Sequence, residues 1–177
     1  YRIFLKIRLA TLVVFSASLT YIIASGSEFS YMDLMWVVLG GFLVTGASNG
    51  FNQVWEKETD KLMERTSDRP IPQERMGVKE GMAVALITGM VGVVILWYFL
   101  NPLTGILGLG SLLLYATVYT PMKKRSSWAV FVGAIPGALP PMIGWIAFTG
   151  KFSPEAVILF AIQFMWQFPH FWAIAWR

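Results

Sequence analysis

The sequence predicts an all-α protein, a polytopic bundle of six transmembrane helices. Of its 177 residues, 56% are hydrophobic and only 14% are charged, and the mean hydropathy is +0.60. The charges are clustered and leave long uncharged stretches between them. A helix needs roughly 20 apolar residues to cross a bilayer. Core helices of a soluble protein would be separated by amphipathic surface helices, and almost none occur here.

Each predicted helix is based on one of these uncharged stretches. Residues 81–122 are long enough for two spans, and Asn101-Pro102 predicts the turn that divides them. The last stretch contains one titratable residue, His170. The other stretches are single spans. The predicted helices cover residues 7–25, 34–56, 80–100, 103–121, 128–149 and 155–176.

The chain is expected to form one transmembrane domain, residues 1–177, with a polar loop at 57–79. It contains no cysteine, which excludes disulfides and thiolate metal sites within it. Because it starts at Tyr1 without methionine and stops directly after a predicted helix, we expect a fragment of a longer protein.

The charged loops predict the orientation. Loops rich in lysine and arginine face the cytoplasm. With a cytoplasmic N-terminus, every basic residue except Lys151 lies on the cytoplasmic side. The net charge of +4 therefore reflects membrane topology. Nucleic-acid binding would need a continuous basic surface, and the sequence does not favour it.

A polar stripe lies at the cytoplasmic end of the second predicted helix. Asn52, Glu56 and Asp60 recur every four residues, so on a helix they fall within an arc of roughly 80°. Asn49 precedes them by three residues. Polar groups at this depth usually face a bundle interior or a wet cavity. Hard oxygen ligands of this kind suit Mg²⁺, which is often shared with substrate phosphates.

Arg65 and Arg69 follow the stripe, spaced for a second short helix. The planar guanidinium group of arginine binds phosphate oxygens in a bidentate way. Acidic residues followed along the chain by arginines therefore suggest a diphosphate held between a metal ion and guanidinium groups. The competing interpretation is a solvated loop with weak surface ion pairs. We assign to that interpretation the acidic residues off the stripe, which are Glu58, Glu64, Asp68, Glu74 and Glu80.

These residues resemble a known signature. Asn52-x3-Glu56-x3-Asp60, continuing through Arg65-Thr66 to Arg69-Pro70, is similar to the first motif of the UbiA-like intramembrane prenyltransferases. Most members carry aspartates where this chain has Gln53 and Glu56. This form looks like the protohaem IX farnesyltransferase (haem O synthase) family. Two further stretches resemble the same family: 119–145, which starts Tyr-Thr-Pro-Met-Lys-Lys-Arg, and Trp-Gln-Phe-Pro-His-Phe-Trp at 166–172.

The resemblance implies a reaction and its partners. A farnesyl group would pass from farnesyl diphosphate to a vinyl group of haem B, releasing diphosphate and giving haem O. Haem B would be substrate, not cofactor. Mg²⁺ would be the metal, with Mn²⁺ as a substitute. The protein would lie in the cell or inner membrane, with haem A synthase as a candidate partner. The family has about nine helices, and its second acidic motif follows the sixth.

The resemblance also implies site residues. Asn52, Glu56 and Asp60 would be catalytic metal ligands. The diphosphate would be bound by Arg65, Arg69, Tyr119, Lys123 and Lys124. His170 is a candidate haem contact or axial ligand, although a lone intramembrane histidine is also a common packing residue. The proline-rich run at 133–141 is expected to break its helix and line the substrate chamber.

Two alternatives stay open. One is a UbiA-like prenyltransferase acting on an aromatic or quinone precursor at the same diphosphate site; Glu56 and the segment around His170 argue against it. The other is a transporter whose polar stripe lines an ion path. Transporters often contain inverted repeats with broken helices, and this sequence shows no convincing repeat.

Overall fold

The computed structural model describes residues 1–176 and confirms the predicted fold class. Its six long helices are apolar enough to cross a membrane, and no strand occurs within residues 1–176. The N-terminal residues 2–6 form turns. The helices are α1 (Ile7–Ser25), α2 (Tyr31–Leu62), α3 (Val78–Leu100), α4 (Pro102–Met122), α5 (Ala129–Thr149) and α6 (Pro154–Ala175).

Helix α2 is longer than predicted at both ends. It begins after Ser30, whose hydroxyl accepts a hydrogen bond from the Asp33 N–H at 3.2 Å and so caps the helix. It ends at Leu62, six residues beyond the predicted end, and the connecting loop therefore spans 63–77 instead of 57–79. Hydropathy marks where a segment leaves the apolar layer, whereas a helix can continue into the polar region.

The prediction that the proline-rich run breaks its helix is wrong. Pro136, Pro140 and Pro141 lie inside the continuous helix α5. Pro141 has no N–H to donate to the carbonyl of Gly137, four residues earlier. The Gln167 side chain on α6 donates to that carbonyl instead, with a distance of 3.2 Å. A neighbouring helix thus satisfies the backbone group that the proline leaves free.

The bundle is held by close helix packing. Helix α1 packs against α2 and α5, α2 against α3, and α5 against α6. The closest approach is at Gly144 of α5, where an added Cβ would lie 1.9 Å from the carbonyl oxygen of Ala17. Only glycine allows this contact, as is common where membrane helices meet.

Helix α4 widens into a π-helical segment, Leu114–Tyr119, just before Pro121. Proline removes a backbone donor, and such wide turns are one way a helix adapts to it. The segment lies at the end of the bundle that also contains the end of α2 and the N-terminal turns. The basic residues before α1, after α2 and after α4 therefore converge at one end.

Candidate diphosphate and metal site

The polar stripe of α2 is buried. Asn52, Glu56 and Asp60 expose 2%, 4% and 2% of their surface. They lie one helical turn apart, as their spacing predicts, and point towards the end of α4 and the loop 63–77. Buried carboxylates are costly unless they are paired, so their partners decide what this site can do.

Each carboxylate is paired with a cation from a different part of the chain. The Arg69 guanidinium, in the loop, lies 2.5 Å from the Asp60 carboxylate (Nη1 to Oδ2). The Lys123 ammonium, just beyond α4, lies 2.5 Å from the Glu56 carboxylate (Nζ to Oε1). Short charge-assisted contacts of this kind are stronger than neutral hydrogen bonds. Two acids and two bases are thus held side by side.

The loop reaches the stripe through Thr66. Its buried hydroxyl donates to the carbonyl of Asp60 at 3.0 Å and closes the end of α2. The second short helix expected around Arg65 and Arg69 does not form, since residues 64–68 are turns. Arg65 is exposed and lines an open cleft of about 620 Å³ together with Arg69 and Lys6.

The end of α4 supplies the opposite wall. The Thr120 hydroxyl accepts from the Asn52 amide at 3.5 Å and donates to the Tyr115 carbonyl at 2.8 Å. Tyr119 packs on Gly133 of α5, where an added Cβ would lie 2.5 Å from its ring. The Lys123 ammonium lies 6.0 Å from the centre of that ring. The structure therefore brings Tyr119 and Lys123 to the site.

Two of the sequence candidates lie apart from this cluster. Lys124 is exposed, and none of the ion pairs among residues 1–176 joins it to the stripe. His170 lies on an exposed part of α6, where its ring stacks on Trp166 at 4.7 Å between centroids. Its neighbour in the motif, Gln167, is buried against α5.

Sequence reasoning missed a second polar row on α2. The Asn49 amide donates to the carbonyl of Leu5 at 3.3 Å, and the Gln53 amide donates to that of Phe4 at 2.6 Å. Both side chains therefore face the N-terminal turns instead of the carboxylates. The four-residue spacing of Asn49 and Gln53 was a signal in the sequence, but nothing local indicates their partners.

Lys6 was missed as well, because it was counted only as a topology marker. It is half-buried and lines the cleft with Arg69, and the charges of Glu56, Asp60, Arg69 and Lys123 act on its ammonium. Burial lowers the pKa of Lys6 to about 8, and the nearby cations Arg69 and Lys123 act in the same direction. The carboxylates oppose this shift only in part.

The stripe fits a magnesium ion by the chemistry of its donors. Asn52, Glu56 and Asp60 offer amide and carboxylate oxygens, the ligand type that Mg²⁺ prefers. They contribute only two carboxylates, and residues 1–176 contain no group of three or more acidic, histidine or cysteine side chains placed to hold a metal. The donor set is therefore suitable for a hard cation that takes further ligands from substrate or water.

Comparison with known proteins found a matching family model and similar sequences. Residues 12–177 match the UbiA prenyltransferase family. The chain is 47% identical over 171 residues to a protohaem IX farnesyltransferase of Cytophaga hutchinsonii, covering 97% of this chain and 60% of the relative. It is 49% identical over 174 residues to that of Flavobacterium psychrophilum, covering 97% and 57%. The chain thus spans somewhat more than half the length of these curated relatives.

A solved structure shows the same fold. It comes from work on digeranylgeranylglyceryl phosphate synthase in membranes, and it superposes with a TM-score of 0.82 over 93% of this chain and 57% of the other. At 20% identity, this similarity supports the arrangement of helices alone. Together with the six apolar helices and the family match, it identifies an integral membrane protein.

Proposed function

The chain belongs to the UbiA prenyltransferase family, and we propose that its protein transfers a farnesyl group from farnesyl diphosphate to a vinyl group of haem B, releasing diphosphate and forming haem O. The observation that carries the diphosphate half of this proposal is that the buried acids Asp60 and Glu56 are in contact with Arg69 and Lys123. The acceptor is inferred from relatives named protohaem IX farnesyltransferase at 47% and 49% identity.

Asn52, Glu56 and Asp60 are the residues that would hold the metal. Family members use metal ions, and the oxygen donors here favour Mg²⁺, with Mn²⁺ as a substitute. When bound, such an ion neutralises the charge that develops on the diphosphate as the allylic C–O bond breaks. The stripe supplies about half of a site that would be completed from elsewhere in the full-length protein.

Arg69 and Lys123 act on the same leaving group. Each is already aimed at the buried acids, so a diphosphate entering between them meets preorganised cations. Arg65, on the rim of the cleft, would make an outer contact. Of the two neighbouring lysines we assign the diphosphate to Lys123, because its ammonium contacts Glu56 of the stripe.

The allylic cation must meet the acceptor before water does. Tyr115 and Tyr119 present their rings 5.1 Å apart at the end of α4, and these rings would help to keep water from the reacting carbon. Aromatic faces also stabilise a developing cation. The acceptor therefore has to approach from within the membrane, as a hydrophobic macrocycle such as haem B can.

We assign His170 as a haem contact. It is the only histidine of the chain, and with Trp166 it forms a flat stacked pair on α6. A flat aromatic pair suits a porphyrin face, and imidazole suits haem iron. Unchanged haem B affinity in His170→Ala, measured by optical titration, would exclude this role.

The proposed orientation is a cytoplasmic N-terminus and loop 63–77 in the cell or inner membrane, on the distribution of basic residues. Transfer to haem A synthase would be the next step for the product.

The full activity is tested with membranes that contain the full-length protein, haem B, labelled farnesyl diphosphate and Mg²⁺. Farnesylated haem is expected. A prenylated aromatic product alone, or ion flux without product, would contradict the proposal.

A further inference from the structure

The cleft at this site is lined by more basic side chains than acidic ones. Arg69 and Lys123 are matched to Asp60 and Glu56. Lys6 lines the same cleft as Arg69, and the charges of all four groups act on its ammonium. Within residues 1–176 no carboxylate oxygen lies within 4.0 Å of its ammonium nitrogen. A half-buried ammonium without a partner is unfavourable by itself, so this arrangement suits a protein that binds an anion here.

The N-terminal turns are anchored by a buried aromatic ring. Phe4 is 0% exposed and packs with Ile71, Met76 and Ala85. Its ring lies on Gly50 of α2, where an added Cβ would be 2.8 Å away. Loop, α2 and α3 therefore share one small core with the segment that precedes α1, and Lys6 has little freedom to move away.

Two amides of α2 fix the backbone beside Lys6. The Gln53 amide donates to the carbonyls of Phe4 at 2.6 Å and Ile3 at 3.3 Å. The Asn49 amide donates to the carbonyl of Leu5 at 3.3 Å. Three consecutive carbonyls are thus held by the same helix that carries Glu56 and Asp60. The stripe and the N-terminal turns form one rigid unit.

Lys6 itself adopts a left-handed backbone conformation, with φ of 47° and ψ of 57°. For a residue other than glycine this conformation is unfavourable and persists only where the surroundings enforce it. The helix α1 begins at the next residue. A glycine would relieve the strain but would leave no cation at this corner.

We propose that Lys6 is a further diphosphate-binding residue of this site and that Gln53 is the positioning residue which holds its backbone in place. The assignment rests on the proposed function, because the anion is the diphosphate of the same site. Its phosphate oxygens would supply the partner that Lys6 lacks, while Arg69 and Lys123 are shared between diphosphate and carboxylates. Such charge-assisted contacts are the strong ones.

The simpler interpretation is that Lys6 only marks the cytoplasmic side or meets lipid headgroups. Arg2 and Arg8 flank it and are exposed, so they suffice for that purpose. Arg8→Met is therefore the matched control: it removes one positive charge from the same segment without touching the cluster. Lys6→Arg keeps the charge and tests whether charge alone is sufficient.

The test is binding of inorganic diphosphate with Mg²⁺ to the purified full-length protein, measured by calorimetry. We expect Lys6→Met to weaken binding by about tenfold or more, which is the size of one lost charge-assisted contact. Arg8→Met should bind like the wild type, and Lys6→Arg should recover most of the affinity. Gln53→Met should weaken binding because the carbonyls near Lys6 lose their donor.

Stability separates binding from a structural role. Removing an unpaired cation that faces two others should leave the thermal midpoint of the ligand-free protein unchanged or higher in Lys6→Met, while the stabilisation given by diphosphate becomes smaller. A Lys6→Met protein that is less stable without ligand, or one that binds diphosphate like the wild type, would overturn the proposal. Lys6→Arg provides the same comparison if Lys6→Met does not fold.

The two proposals fail in different ways. If the wild type binds diphosphate, and Asp60→Asn loses this binding while Lys6→Met keeps it, only the role of Lys6 is wrong. If the wild type does not bind diphosphate with Mg²⁺, the proposed function and the role of Lys6 are both wrong.

Discussion

At the scale of single residues, substitutions of Asp60 and Arg69 test the proposed site most directly. Asp60→Asn removes a metal ligand and the partner of the guanidinium, and Arg69→Ala removes a cation from the leaving group. We expect each to lower turnover by at least about tenfold, as the loss of a single stabilising group in the transition state does. The rate of haem farnesylation, at equal amounts of folded protein, measures this.

Glu58→Gln is the matched control for these variants. Glu58 lies between Glu56 and Asp60 in sequence, but its side chain is 74% exposed and pairs with Lys57. Exposed ion pairs contribute little, so its activity should stay within about twofold of the wild type. Near-normal turnover in both Asp60→Asn and Arg69→Ala would reject the site assignment.

Lys6 makes the stability of the ligand-free protein depend on pH. Its pKa is about 8 in the folded protein, below the ordinary value of 10.5. Between these values the unfolded chain binds more protons, so the stability of the ligand-free protein rises with pH. We expect the thermal midpoint of the wild type to increase, relative to that of Lys6→Met, as the pH is raised through this window. Parallel pH curves for the two proteins would contradict the shift.

At the scale of elements, the helices were predictable because hydropathy and length determine what can cross a bilayer. The stripe was predictable because Glu56 and Asp60 lie on one helix and their spacing places them on one face. The hydrogen-bond partners of Gln53 and the charged groups around Lys6 were not predictable, because they lie more than 40 residues away in the sequence. Such contacts depend on packing and leave no local periodicity.

The proline-rich run at 133–141 shows a second limit of prediction from the sequence. Proline normally breaks a helix, and the local rule is sound for an isolated segment. Here Gln167, 30 residues away, donates to the carbonyl of Gly137 and replaces the missing donor. The compensation lies in a neighbouring helix, so no inspection of residues 133–141 alone would reveal it.

Helix packing at Gly144 makes a prediction at the same scale. An added Cβ would lie 1.9 Å from the Ala17 carbonyl oxygen, so Gly144→Ala must push α1 away from α5. We expect a destabilisation of about 1–3 kcal/mol, seen as a lower thermal midpoint in detergent. Gly110→Ala is the control, because nothing lies within 4 Å of its added Cβ. Equal midpoints for the two variants would contradict this packing.

At the scale of the whole molecule, the fold brings three segments distant in sequence to one end of the bundle. The N-terminal turns provide Lys6, the loop after α2 provides Arg69, and the end of α4 provides Lys123. Their charges surround the carboxylates of α2 at the mouth of a membrane-embedded helix bundle. Under the proposed function, the diphosphate would lie at the surface and its isoprenoid chain in the apolar interior.

The most direct test of the central claim is binding of labelled farnesyl diphosphate to the purified full-length protein. The site predicts binding that requires Mg²⁺, is displaced by excess inorganic diphosphate and is lost when Glu56→Gln and Lys123→Met are combined, which removes one acid–base pair. Binding that persists in the presence of a metal chelator and in the double variant would contradict the claim that the end of α2 holds the diphosphate.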